Sequence, residues 1–170
     1  MAEMMEAQEG LMDQSAEAYR RASTFYEADH DTQQANICLL KTASIYSIQE
    51  IYTKAVEMFS QVASDRNNLE RFSSPRNLLC ASVSMLADKN IKKDEASATL
   101  KDWMRRDPIF SRSKECRFVE NLIRIRYETK NIHEFADHLY FFDSAEKFDI
   151  WELVMLGRIK DRVVGHDAKA

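Results

Sequence analysis

The chain has 170 residues, and 24 Lys and Arg against 28 Asp and Glu leave a formal charge of −4. A hydrophobic fraction of 45% with 31% charged residues is that of a folded protein, not a disordered one. Three glycines and two prolines argue against a turn-rich sandwich or barrel, and no run of uncharged apolar residues is long enough to span a bilayer.

Breakers and caps cut the chain into about eight helical segments. The opening stretch, 1–12, is acidic, and Met1-Ala2-Glu3-Met4-Met5-Glu6 lacks the basic flank and apolar core of a signal peptide, which points to a cytoplasmic chain. The first helix is predicted over 13–29, with Ala18, Tyr19, Ala22 and Tyr26 at helical spacing. Asp31 with Gln34 three residues on reads as a capping-box-like start for a helix over 32–47. A third covers 51–65 and stops at the polar run Asp65-Arg66-Asn67-Asn68. Ser74-Pro75 opens a fourth, Ser as cap and Pro in the first turn. The fifth, 92–106, must end before Pro108.

Residues 111–128 place Phe118, Val119, Leu122, Ile123 and Ile125 on one broad apolar face. Asn131 with Glu134 caps a short helix whose stripe is Ile132, Phe135, Ala136 and Leu139. Asp149 with Glu152 caps the last, carrying Trp151, Val154, Met155 and Ile159. No alternating strand pattern competes, so the expected fold is all-α, helical hairpins packed side by side. Tyr19, Phe59 and Trp103 recur at spacings of 40 and 44 residues, each late in a helix with a small residue (Ser15, Ala55, Ala96) upstream. That is a weak helix–turn–helix repeat of the tetratricopeptide kind, or the chance recurrence of aromatics in a bundle.

Chemistry is poorly represented. Gly10, Gly157 and Gly165 cannot build a phosphate-binding loop. His133 and His138 are five residues apart, not the four that put two metal ligands on one helix face, and read as surface or boundary residues. Cys38, Cys80 and Cys116 lie far apart in apolar patterns and read as buried, reduced thiols. No catalytic residue, metal site or cofactor is expected. Charge is uneven: residues 1–35 carry 8 acidic and 2 basic side chains, a net −6, and 101–126 carry 8 basic and 4 acidic, a net +4. Arg105, Arg106, Arg112, Lys114, Arg117, Arg124 and Arg126 beside Trp103 and Phe110 admit nucleic-acid binding, but the acidic whole favours a protein partner.

One resemblance is more specific. Cys38-Leu39-Leu40-Lys41-Thr42-Ala43, the stretch from Tyr52 to Val62, Asp107-Pro108-Ile109-Phe110, Ser113-Lys114-Glu115-Cys116-Arg117, Phe142-Asp143-Ser144-Ala145, Phe148-Asp149-Ile150-Trp151 and Leu156-Gly157-Arg158-Ile159-Lys160 follow in order. Together they resemble the C-terminal portion of the soluble NSF attachment proteins, nearest the alpha type, from about residue 15 to 164. The resemblance implies tetratricopeptide-like hairpins over 13–106, a C-terminal helical bundle over 107–164 and a short tail, 165–170. It implies a non-enzymatic adaptor that grips assembled SNARE complexes, with syntaxin-type members, and recruits the ATPase NSF for their disassembly in vesicle-mediated transport. Nucleic acid is not an implied partner, and membrane contact is implied only peripherally, through SNAREs.

Carried over by position, the SNARE-facing cations are Lys41, Arg71 and Lys114, and the NSF-facing residues are Glu128, Arg158 and Lys160. The chain departs from the pattern at Ile37 and at Pro75 or its neighbour, where alpha-type members carry lysines, and at Arg124 and Tyr127, where they are acidic. A generic helical-repeat scaffold, indifferent to SNAREs and NSF, is the alternative.

Overall fold

The structure, a computed structural model, describes residues 2–65 and 74–165, with side chains over 10–65 and 74–165. Among these residues are nine α-helices and no strand: α1 (Ala2–Ala28), α2 (Thr32–Ile48), α3 (Tyr52–Ser64), α4 (Ser74–Ala87), α5 (Lys93–Arg106), α6 (Pro108–Ser111), α7 (Lys114–Arg124), α8 (Ile132–Asp143) and α9 (Ile150–Val164). A π-helical turn, Ile125–Thr129, continues α7. The all-α architecture of stacked hairpins is therefore as the sequence predicts.

The centre of the molecule is α4. Its sequence is apolar all round, with the small Ser82 and Ser84 between Leu78, Leu79, Val83 and Leu86, and a helix of that pattern must be buried on every side. It packs against α3, α5, α6, α7 and α9. The hydroxyls are satisfied locally: Ser82 donates to the Leu78 carbonyl at 2.7 Å, and Ser84 lies 2.7 Å from the Ser47 hydroxyl of α2. One apolar core runs from Ala43 and Phe59 through α4 to Met155, Ile159 and Val163, so the hairpins and the C-terminal helices share it.

Several sequence signals act as read. The Asp31 carboxylate accepts from the Gln34 amide at 3.1 Å, and Asn131 accepts from His133 and Glu134 at 3.0 and 3.3 Å. The Glu152 carboxylate accepts from the Asp149 amide at 2.8 Å, the reaching-back half of a capping box. Gly165 closes α9 in the left-handed region, φ 74°, where a Cβ would be strained. Cys38, Cys80 and Cys116 are free thiols and buried.

Other readings are corrected. Helix α1 begins at Ala2, not near 13, because the Ala-, Glu- and Met-rich opening is a strong helix former that the single Gly10 does not interrupt. Helix α4 opens at Ser74-Pro75 as read, but the Ser74 hydroxyl bonds the Asp107 carboxylate and so ties α4 to the start of α6. Pro108 does not only end α5: with Asp107 accepting from the Ile109 and Phe110 amides at 2.9 and 3.0 Å, it starts the short α6. The single helix predicted over 111–128 is α7 plus a wider π turn, ended by Lys130 at φ 48°. Of the repeat aromatics, Phe59 and Trp103 are buried with Ala55 and Ala96, but Tyr19 is 39% exposed and Ser15 faces solvent, so the repeat holds for two units. Ala136 is exposed on α8, while Phe135 enters the core. The linker 66–73 lies outside the described residues.

Candidate protein-binding surface

The basic stretch read from 101–126 does not form one continuous face of free cations. Arg105 and Arg106 both pair with Asp102, at 2.6 and 2.8 Å, along the exposed side of α5. Arg124 pairs with Glu134 of α8, and the other Glu134 oxygen accepts from the Thr129 hydroxyl at 2.8 Å. Arg126 is buried: its guanidinium donates to the Leu86 and Asp88 carbonyls at the end of α4 and lies 4.7 Å over the Tyr127 ring. Tyr127 completes this lock by donating to the Ile91 carbonyl at 2.8 Å. A cation at a helix C-terminus meets the negative end of the dipole and the carbonyls the helix leaves unpaired. Arg126 therefore fixes the α4–α5 turn and is architecture, not surface.

Lys41 is exposed on α2, which packs against α1, α3 and α9. Lys114 is the first residue of α7, behind the Ser113 hydroxyl that accepts from the Cys116 amide at 3.0 Å. Its half-exposed ammonium bonds Glu146 in the α8–α9 connection, and that bond raises its pKa. Arg71 lies outside the described residues.

The π turn packs against α9, so the element carrying Glu128 adjoins the one carrying Arg158 and Lys160. Glu128 is half-exposed and meets Lys93 at 2.8 Å, which lowers the carboxyl pKa and raises that of the ammonium. Lys160 is exposed. Arg158 is not a free cation: its guanidinium donates to the Ser47 carbonyl at 2.9 Å, the Ile48 carbonyl at 2.7 Å and the Tyr52 hydroxyl at 2.9 Å. Those carbonyls end α2, so Arg158 locks α9 to the α2–α3 turn in the way Arg126 locks α4 to α5.

Sequence reading missed a third lock. Glu152, 1% exposed, meets Arg76 of α4 at 2.6 Å and accepts from the Cys80 thiol at 3.4 Å. Burial raises the Glu152 pKa despite the guanidinium, and burial beside this carboxylate pushes the Cys80 thiol well up, leaving it protonated and inert. The cap role of Glu152 was legible; its burial against α4 requires the tertiary fold. Among the described residues no cluster of His, Cys, Asp and Glu is arranged to hold a metal ion, and no helix is long and apolar enough to cross a membrane.

These features, half-paired surface charges over an interlocked helical stack, suit contact with other proteins. The family pattern described as soluble NSF attachment protein, SNAP, matches residues 1–164. The alpha-soluble NSF attachment protein of Dictyostelium discoideum is 30% identical over 166 residues, 96% of this chain and 55% of that protein. Its counterpart in Homo sapiens is 25% identical over 169 residues, 98% of this chain and 56% of that protein. A protein of Schizosaccharomyces pombe named "Probable vesicular-fusion protein sec17 homolog" is 29% identical over 148 residues, 86% of this chain and 50% of that protein. The chain thus spans about half the length of the curated relatives it matches. It belongs to the soluble NSF attachment protein family.

Proposed function

We propose that this chain is an adaptor, not an enzyme: it binds assembled SNARE complexes and contributes to recruiting NSF for their disassembly in vesicle-mediated transport. The observation that carries this reading is the family match over residues 1–164, joined by relatives named for NSF attachment and vesicular fusion. The membrane is reached peripherally, through the SNAREs, from the cytoplasmic side.

In this reading Lys41, Arg71 and Lys114 meet the acidic rod of the SNARE bundle. The attraction is screened and orientation-tolerant, which suits a partner that varies in sequence along its length. Lys114 exchanges its bond to Glu146 for the partner's carboxylates, so the pair holds the side chain ready in the free protein. Glu128 and Lys160 form the NSF-facing contact, and Arg158 holds α9 so that Lys160 is presented on the helix packed against the π turn of Glu128.

Charge reversal tests the assignment. Lys41→Glu with Lys114→Glu weakens binding to assembled SNARE complex by more than tenfold at low salt, with unchanged circular dichroism and melting. Unchanged affinity for both substitutions together would remove this surface from the SNARE contact.

A further inference from the structure

The connection between α8 and α9, residues 144–149, is braced from both ends. The Ala145 and Glu146 amides both donate to the Phe142 carbonyl, at 3.1 and 2.9 Å, and the Phe148 amide donates to the Asp143 carboxylate at 3.1 Å. Phe148 is buried, its ring 5.4 Å from that of Phe142 and 5.8 Å from that of Phe118. Backbone bonds and aromatic packing together fix the path of the connection, so its side chains start from defined positions.

Two cations from the starts of other helices meet it there. Arg76, in the first turn of α4, lies over the Phe148 ring at 5.7 Å and bonds Glu152 at 2.6 Å. Lys114, the first residue of α7, bonds Glu146 at 2.5 Å across 32 residues of chain. Arg76 is near enough for its charge to act on the Lys114 ammonium, so like charges gather here and each is given a carboxylate. The two pairs differ in what can reach them. The Glu152 side chain is 1% exposed, and nothing from outside takes its place. The Lys114 side chain is 50% exposed and that of Glu146 36%, so a carboxylate from outside competes for this ammonium with one already bound to it.

We propose that Glu146 is an intramolecular competitor: it stands on Lys114 where an acidic partner's carboxylate would stand, and so holds down the affinity of this chain for that partner. The inference rests on the reading above that Lys114 meets the acidic rod of the SNARE bundle. An exposed pair that must be broken before binding subtracts no more than its own strength, which sets the effect at about two- to fivefold in affinity. The negative charge of Glu146 also repels an acidic partner, which acts in the same direction and is screened by salt.

Titration of the full chain against assembled SNARE complex at low salt tests this, with Glu146→Gln, Lys114→Gln, the double variant and Glu120→Gln. Glu120 is exposed on α7 and controls for the loss of one negative charge outside the pair. Glu146→Gln is expected to tighten binding about two- to fivefold, more than Glu120→Gln does, with circular dichroism unchanged and melting little changed. In the Lys114→Gln background the gain from Glu146→Gln shrinks to that of Glu120→Gln. Equal gains from the two glutamates, or a gain that Lys114→Gln leaves intact, overturn the proposal. Wild-type binding that Glu146→Gln leaves unchanged or weakens overturns it too, and the SNARE reading then stands. If neither the wild type nor Glu146→Gln binds, that reading fails and the competitor falls with it.

Discussion

Arg158 shows how a surface-type residue becomes part of the frame. A charged donor shared by two carbonyls and a hydroxyl is worth more than a neutral hydrogen bond, and its loss leaves the end of α2 with unpaired acceptors. Arg158→Ala is expected to cost about 2–3 kcal/mol in urea unfolding. A loss within error would free the side chain for a direct partner contact. His138 gives a pH dependence. It stacks on Phe118 at 4.5 Å with Nε2 3.0 Å from the Phe118 carbonyl, and burial lowers its pKa below the ordinary 6.5. The folded state therefore binds fewer protons than the unfolded chain just below that value, and stability falls as pH drops through it. Melting temperature should decline from about pH 6.5 downward, less steeply in His138→Gln, and an identical profile for both proteins would contradict this.

Among the helices, those whose starts are marked by a capping side chain were the legible ones. Asp31, Asn131 and the Asp149–Glu152 pair start α2, α8 and α9 where the sequence says, because a cap is a local device. Features that depend on neighbours were not legible. The π turn exists with Arg126 reaching the end of α4, and Ser74 turns from its own helix to Asp107 because α6 is there to meet it. The site was legible only as residue types: periodicity distinguishes Lys160 from Ile159, but nothing local says that Arg158 is held by α2 or that Lys114 has Glu146 beside it. Trp103 is a case where the pattern was enough. It is 8% exposed between α5 and the core, so Trp103→Ala is expected to cost roughly 3–5 kcal/mol by calorimetry or denaturant titration. A change below about 1 kcal/mol would mean the surrounding helices close over the gap without loss.

At the scale of the whole molecule, three charged locks tie a helix to the one it packs on: Arg126 to the end of α4, Arg158 to the end of α2, and Glu152 to Arg76. Two of the three belong to α9, so the C-terminal helix is held to both α2 and α4 and moves with the stack. In the proposed function, that rigidity would let force applied at one end reach a partner held along the face. The family match places the chain among proteins named for NSF attachment, and the interlocked stack carries the exposed Lys41 and the Glu146-paired Lys114 that the proposed function assigns to the partner contact. The most direct test is co-sedimentation of this chain with assembled SNARE complex and with a single free SNARE, at low and at physiological salt. The account predicts binding selective for the assembled complex and weaker at the higher salt. Equal binding to the free SNARE, or none to the assembled complex at low salt, would contradict it.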